Sequence, residues 1–263
     1  MKKLLTILSF CVVCFFNSVY AGMVEDVVQR GSLKVGLTPT YIPFEMTNKQ
    51  GEIIGFEVDI LRSMAKSMGV KLELISVSYD GLIPGMLTGK FDLIASGMTI
   101  NQQRNLKLNF SEPFIQTGQT LIIRKDLDHK VKSYKDLNQE QYRITSQVGT
   151  TGEVLAKKYM NKAQYYGYNS EAEAFLEVVN GKADAFIFDE TYNVIALHRL
   201  GNNKVLHLDQ PITKEPIAFA VMQGDYDSVN WINNFLNQIK NDGTYNQIYN
   251  KWFKKMDWLK DME

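Results

Sequence analysis

The stretch that decides the fold is FDLIASGMTINQQR, from Phe91 to Arg104. Its first four residues are typical of a buried strand. The loop that follows contains Ser96, Gly97 and Thr99, and such small residues let a ligand approach the backbone closely. The stretch ends at Arg104, whose planar guanidinium suits a carboxylate. A loop of this kind after a buried strand predicts a small-anion site, although most single arginine residues on loops are solvated surface charges.

Similar strand–loop–helix units follow one another along most of the chain. The predicted strands are residues 33–37, 72–77, 91–95, 120–124, 142–145, 163–166, 183–188, 205–208 and 217–222. The predicted helices are residues 55–68, 79–87, 150–160, 170–180 and 189–200, with two more in the C-terminal forty residues. This alternation predicts an α/β fold with mainly parallel sheets flanked by helices. Since two such series occur without a Gly/Ser linker, we expect two lobes packed together, with a cleft where the carboxyl ends of their strands meet.

The N-terminus resembles a secretory signal peptide. Two lysine residues precede an apolar run at residues 4–16, and small residues lead to a cleavage site after Ala21. That run is shorter than the roughly 20 residues that cross a bilayer. We therefore expect an exported, periplasmic protein. Lipidation at Cys14 is the alternative. With cleavage after Ala21, both cysteines, Cys11 and Cys14, are removed with the leader, and the mature chain has no thiol or disulfide.

Composition excludes several classes of function. The chain carries 29 basic and 29 acidic residues, and this balance argues against nucleic-acid binding and against an acidic-membrane role. Its three histidines, His129, His198 and His207, are scattered, so we predict no metal site. No phosphate-binding Walker loop or nucleophile elbow occurs, and no cofactor is expected. About 240 mature residues suit two lobes, and we expect a monomer.

A second loop, QVGTTGE at residues 147–153, follows a predicted strand and begins a helix. Thr150 and Glu153 have the spacing of a capping box. A helix N-terminus preceded by glycine also presents backbone N–H groups with partial positive charge, which attract anions. Capping by Thr150 is compatible with binding, because Thr151 remains available to face a carboxylate. Gln147 belongs to the same predicted site.

A third loop begins at Asp189, directly after the apolar strand AFIF. Its carboxylate has two interpretations that this residue alone leaves open: it caps the following helix, or it neutralises an ammonium group in the cleft. If Arg104 and Thr151 hold a carboxylate and Asp189 holds a cation, the pattern matches an α-amino acid zwitterion. Tyr41 and Tyr79 follow the first two strands, where aromatic rings can flank a ligand side chain or serve in ordinary packing.

Together these motifs resemble the family 3 extracellular solute-binding proteins, the periplasmic receptors of polar amino-acid ABC importers. The resemblance covers essentially the whole mature chain. The matching motifs are GFEVDI at 55–60, YDGLIP at 79–84, GMTI at 97–100 with Arg104, FSEPF at 110–114, VGTT at 148–151, ADA at 183–185 with Asp189, and DGTY at 242–245 followed by the aromatic end at 249–253.

The resemblance implies the two-lobed type II periplasmic-binding-protein fold, with ligand-induced closure about two hinge strands near residues 114–119 and 212–218. Lobe 1 is expected at residues 22–115 with 217–263, and lobe 2 at 116–216. It implies that Arg104 and Thr151 grip the α-carboxylate, that Gly97 and Thr99 contact main-chain groups and that Asp189 holds the α-ammonium. The full predicted ligand site is Tyr41, Tyr79, Gly97, Met98, Thr99, Arg104, Gln147, Thr150, Thr151 and Asp189.

The expected function is binding of a free amino acid and its delivery to a membrane permease of an ABC importer, without catalysis. Thr38 stands where binders of basic amino acids usually carry an acid, so a neutral polar ligand such as glutamine is predicted. The alternative is a periplasmic cyclohexadienyl (prephenate or arogenate) dehydratase on the same fold. In that case Glu153 is the candidate general acid, although a first-turn glutamate is usually ionised and capping. A third hypothesis, a ligand sensor for a membrane receptor, requires a separate partner.

Overall fold

The structure is a computed structural model that describes residues 22–201 and 203–261. The predicted signal peptide, its cleavage after Ala21 and the alternative lipidation at Cys14 lie outside the described residues. Within the described ranges, every helix is too short or too polar to cross a membrane.

The elements confirm the predicted alternation and add several short ones. The helices are α1 Met23–Arg30, α2 Phe56–Met68, α3 Leu82–Leu87, α4 Gln102–Asn105, α5 Thr151–Tyr159, α6 Glu171–Val179, α7 Glu190–Leu200, α8 Tyr226–Asn241 and α9 Thr244–Tyr249. The strands are β1 Ser32–Leu37, β2 Met46–Thr47, β3 Ile53–Ile54, β4 Lys71–Ser76, β5 Leu93–Ile94, β6 Leu108–Phe110, β7 Ile115–Thr117, β8 Gln119–Arg124, β9 Arg143–Gln147, β10 Gln164–Tyr168, β11 Ala185–Asp189, β12 Val205–Leu208, β13 Glu215–Ile217 and β14 Ala220–Met222. The predicted strand at 217–222 is wrong in detail, because it divides into β13 and β14.

Two five-stranded sheets form the centres of the two lobes. Their strand orders are β4-β1-β5-β14-β6 and β10-β9-β11-β8-β12. In the first sheet β14 runs antiparallel to both neighbours, and in the second sheet β8 does the same. The remaining strand pairs are parallel. The sheets are therefore mixed, each with one reversed strand, within the α/β class that the sequence predicts.

The direction of the reversed strands β8 and β14 is set by two strands that connect the lobes, β7 and β13, which are called the crossing strands below. β7 and β13 form a separate antiparallel pair, in which Ile115 lies opposite Ile217 and Thr117 opposite Glu215. β7 leads directly into β8, and β13 leads into β14. Each crossing strand thus delivers the chain to one sheet against the direction of its parallel strands. These positions agree with the expected hinges, while the exact lobe limits stay a prediction.

The parallel arrangement brings the polar loops to one edge of each sheet. β1, β5, β9 and β11 end at Leu37, Ile94, Gln147 and Asp189, and the predicted site residues follow these ends or occupy them. Because carboxyl ends of parallel strands lie at the same sheet edge, the loops of each lobe cluster there.

The apolar cores of the two lobes meet beside these loops. The ring of Tyr41 in lobe 1 contacts Phe188 in lobe 2 edge to face, with 5.4 Å between centroids. Both side chains are buried, with 6% and 4% of their surface exposed. An aromatic bridge of this kind fixes how the two sets of loops face each other.

The start of β11 is anchored by Asp184, which positions the strand that ends at Asp189. The Asp184 carboxylate accepts hydrogen bonds from the backbone N–H of Arg143 at 2.8 Å and from its Nε at 3.0 Å, and another from Arg124 at 3.1 Å. It is 6% exposed. Since charge-assisted bonds to a buried carboxylate contribute more than neutral ones, this cluster stabilises the second sheet.

We predict that Asp184→Ala lowers the free energy of unfolding by about 2 kcal/mol or more, because it leaves two guanidinium groups without this acceptor. Chemical denaturation followed by circular dichroism measures the change. Asp126→Ala is the control, because it removes the exposed second partner of Arg124. An equal, small effect of both variants would contradict the anchoring role of Asp184.

Candidate ligand-binding site

A small, largely closed cavity lies between the loops of the two lobes. It contains eight of the ten predicted site residues. Its lining comprises Thr38, Thr40, Tyr41, Tyr79, Ser96, Gly97, Thr99, Gln119, Gln147, Thr150, Thr151, Phe188 and Asp189. The two predicted residues that do not line it are Met98 and Arg104.

The carboxylate of Asp189 is bound by donors from both lobes. Oδ2 accepts a hydrogen bond of 2.5 Å from the hydroxyl of Tyr41, and Oδ1 accepts one of 2.6 Å from Nε2 of Gln119. The side chain makes no capping hydrogen bond to α7, which begins at the next residue. The helix-cap interpretation of Asp189 is therefore wrong for this conformation, and the cation partner stays a prediction.

The electrostatics of Asp189 favour the arrival of a positive charge. Burial raises the pKa of Asp189 to about 7, while the hydrogen bond from Tyr41 and the positive charge of Arg104 oppose the rise. A buried carboxylate with a raised pKa gains stability from an ammonium group, because the cation compensates for the lost hydration.

Arg104 lies beside the cavity, in the wall between it and a neighbouring one. Its buried guanidinium donates to the carbonyl of Thr99 at 2.8 Å, the hydroxyl of Tyr79 at 3.1 Å and the carbonyl of Gly149 at 3.1 Å. It lines the neighbouring cavity with Met98, and Tyr79 contributes to both cavities. Arg104 and Thr151 therefore line different cavities in this conformation, and the expectation that both bind one carboxylate stays a prediction. Tyr79 and Gly149 thus occupy the donors that a carboxylate would need.

The loop after β9 combines capping with access to the cavity. The hydroxyl of Thr150 accepts a 3.4 Å hydrogen bond from the N–H of Glu153, and Glu153 accepts one of 2.6 Å from the N–H of Gly149. The hydroxyl of Thr151 accepts a bond of 3.1 Å from Gln119 and lines the cavity. Thr150 thus caps α5 as the sequence predicts, and Thr151 faces the space beside Asp189.

Both tyrosines line the cavity, and each hydroxyl is engaged. Tyr41 donates to Asp189, and Tyr79 contacts Met98 Sδ at 3.7 Å while accepting from Arg104. Burial raises the pKa of Tyr79 to about 12, with the charge of Arg104 opposing the rise. Both tyrosines therefore remain neutral donors at physiological pH.

Position 97 accommodates only glycine. Its φ is +54°, and a Cβ there would lie 2.2 Å from Cε1 of Tyr41. Its N–H donates to Glu57 at 2.9 Å. The backbone conformation and the close contact with the Tyr41 ring both exclude a larger residue at Gly97.

Gln119 is the main functional residue that the sequence reasoning missed. Its side-chain amide connects Thr151 with Asp189, and in the ladder between β8 and β11 it lies directly opposite Asp189. The available signal was a polar residue opening an otherwise apolar strand, QTLIIR, just after the predicted hinge. Thr40 also lines the cavity and is not among the residues predicted from the sequence.

Two buried carboxyl groups support the loop from behind. Glu45 accepts from the hydroxyl of Ser96, and Glu57 accepts from the N–H of Gly97, each at 2.9 Å. Burial raises the pKa of Glu57 to about 8, and burial together with the charge of Glu57 raises that of Glu45 well above its usual range. Oε2 of each has no hydrogen-bond partner among the described residues. Protonation is therefore the stable state of this pair at neutral pH.

The sequence model of the bacterial extracellular solute-binding proteins, family 3, matches residues 33–255. The chain belongs to this family. The family and its curated relatives are named as binding proteins and not as enzymes.

Solved structures and curated relatives agree with that assignment. A binding component of an ABC transporter from Wolinella succinogenes, solved with lysine, is 51% identical with a TM-score of 0.83, over 88% of this chain and 99% of the other. An ancestral amino acid-binding protein, described as a precursor of cyclohexadienyl dehydratase, is 42% identical with a TM-score of 0.82, over 88% and 99%. The glutamine-binding ABC transporter protein of Bacillus subtilis is 31% identical, over 78% of this chain and 74% of its own.

We predict that the solute-binding protein loses stability as pH rises from about 4.5 to 8, because the unfolded chain releases the Glu57 proton near 4.5 and the folded chain near 8. The stabilisation is complete below 4.5 and is lost as pH passes 8. Within this window each retained proton contributes about 1.4 kcal/mol per pH unit. Because the raised pKa values of Glu45 and Asp189 act in the same direction, Glu57→Gln removes one titrating group among several and should make the slope shallower.

Urea denaturation at several pH values measures this slope. Glu73→Gln, an exposed change on β4, is the matched control and should leave the slope of the wild type unchanged. A slope that persists unaltered in Glu57→Gln would show that the folded protein holds no proton at Glu57.

Proposed function

We propose that the protein binds one free α-amino acid in the cavity between its lobes and delivers it, as a periplasmic monomer, to the membrane permease of an ABC importer. The observation that carries this proposal is the Asp189 carboxylate. It is buried, its burial disfavours the ionised form, and donors from both lobes bind it. An α-ammonium group is the natural replacement for the Tyr41 hydroxyl at this carboxylate, because it brings both a donor and a charge.

The other end of the amino acid belongs to Arg104 and the start of α5. The guanidinium lies close enough to Asp189 for its charge to act on the pKa of that residue, and Thr151 lines the same cavity as Asp189. A negative charge in the cavity and a positive charge in its wall suit a zwitterion and select against simple amines and simple acids, which leave one buried charge unpaired.

Closure about the crossing strands is the proposed mechanism. Around the cavity, Tyr41 contacts Asp189 and Arg104 contacts Gly149, and both hydrogen bonds join one lobe to the other. An amino acid held first by lobe 1 gains the contacts of Thr151 and Asp189 when the lobes close. The ligand thereby shifts the population toward the closed form that a permease recognises.

Two hypotheses describe the side chain of the ligand. The absence of an acid at Thr38 favours a neutral polar side chain, and a glutamine-binding relative is consistent with it. The relative solved with lysine favours a basic side chain instead.

The dehydratase alternative has one specific argument, the likeness to the ancestral precursor of such an enzyme. The position of Glu153 argues against it. Its carboxylate accepts from Gly149 at 2.6 Å and from Lys157 at 2.6 Å, and it is not among the residues that line the cavity. Incubation with prephenate and arogenate tests the alternative, and formation of the aromatic product would establish it.

A thermal-shift screen of the mature protein against the common amino acids tests the binding function. The correct ligand, at about 100 times its dissociation constant, adds about 2.7 kcal/mol of stability, which corresponds to a rise of about 5 °C or more in Tm. If no amino acid raises the melting temperature, the proposal is wrong.

Variants of the two charged residues test the headgroup contacts. Asp189→Asn keeps the shape of the side chain and should weaken binding by about 2 kcal/mol or more, and Arg104→Ala should abolish the thermal shift. Isothermal titration calorimetry measures both affinities. Arg62→Ala, which removes an exposed ion pair on α2, is the control and should bind normally. Normal binding by Asp189→Asn would contradict the role of that carboxylate.

A further inference from the structure

Glu171 is a buried carboxylate that the recognition of an amino-acid headgroup does not use. It is the first residue of α6, and none of its surface is exposed. Oε2 accepts a hydrogen bond of 2.9 Å from the hydroxyl of Thr40. Oε1 is buried and has no hydrogen-bond partner among the described residues. A buried acceptor in this state costs about 1–3 kcal/mol unless a donor reaches it.

Its position connects it to the cavity. Thr40 lines the cavity next to Tyr41 and belongs to lobe 1, whereas Glu171 belongs to lobe 2. Glu171 therefore lies behind the cavity wall and is linked to it by the hydrogen bond from Thr40. Thr38, the other threonine of this loop, donates its hydroxyl to the carbonyl of Val77 and supplies no charge.

The surroundings of Glu171 have the sign that attracts a cation. Burial raises the pKa of Glu171 to about 7, and the charge of Glu173 adds to the rise. Burial raises the pKa values of Glu45 in lobe 1 and of Tyr192 on α7, and the charge of Glu171 adds to both rises. Acidic groups therefore face one another here, and an added cation favours the ionised form of Glu171.

We propose that Glu171 binds the cationic end of the ligand side chain, so that the ligand is a basic amino acid of the lysine or arginine type. An ammonium or guanidinium group that reaches past Thr40 supplies the missing donor to Oε1 and compensates the buried charge. The acid that is absent at Thr38 is thereby provided from the opposite lobe. This inference rests on the proposed amino-acid-binding function, and the relative solved with lysine is consistent with it.

Isothermal titration with lysine, arginine and glutamine, on the wild type and on Glu171→Gln, tests the proposal. The wild type should bind a basic amino acid at least tenfold more tightly than glutamine. Glu171→Gln keeps an acceptor for Thr40 and removes the charge, so the affinity for the basic ligand should fall at least tenfold while that for glutamine is unchanged or rises. Glu173→Gln is the matched control on the same helix and should leave both affinities as they are.

Three results would overturn the inference. If the wild type binds glutamine and no basic amino acid, the binding function stands but Glu171 has no cation to hold. If Glu171→Gln weakens lysine and glutamine equally, the residue acts in closure and not in side-chain recognition. Absence of binding to every amino acid would refute the binding function, and with it this assignment of Glu171.

Discussion

The organisation of the site depends on one buried carboxylate that both lobes must satisfy. Asp189 ends a central strand of lobe 2 and receives hydrogen bonds from Tyr41 of lobe 1 and from Gln119, the residue opposite it in the sheet. An ionised carboxylate away from water is costly unless donors surround it. The surrounding geometry follows from this constraint: Gly97 lacks a side chain beneath the Tyr41 ring, and Thr151 shares the amide of Gln119.

The same constraint explains how binding is coupled to closure. Tyr41 and Asp189 meet because the lobes are together, and so do Arg104 and Gly149, and Thr40 and Glu171. In the proposed mechanism, an incoming zwitterion replaces these internal contacts with bonds to its own charged groups. The free energy of closure is therefore the difference between two sets of hydrogen bonds, which lets a small ligand change the conformation of a large protein.

Most of the fold and much of the site were predictable from the sequence, for reasons that lie in particular residues. Local patterns specify α2, capped at Gly69, and the loop that Thr150 caps. The reversed strands β8 and β14 were not predictable, because strand direction depends on where the crossing strands enter each sheet. Arg104 lies beside the cavity, but its bond to Gly149 depends on the distance between the lobes. Gln119 acts through a long-range pairing that local sequence does not encode.

The central claim is that the site recognises both charged groups of an amino acid at once. Its most direct test is calorimetric titration with the amino acid that gives the largest thermal shift, with the amine obtained by removing its α-carboxylate, and with the acid obtained by removing its α-ammonium. Each analogue leaves one buried charge uncompensated, so we expect both to bind at least about 100-fold more weakly than the parent. An affinity close to that of the parent for either analogue would contradict the account.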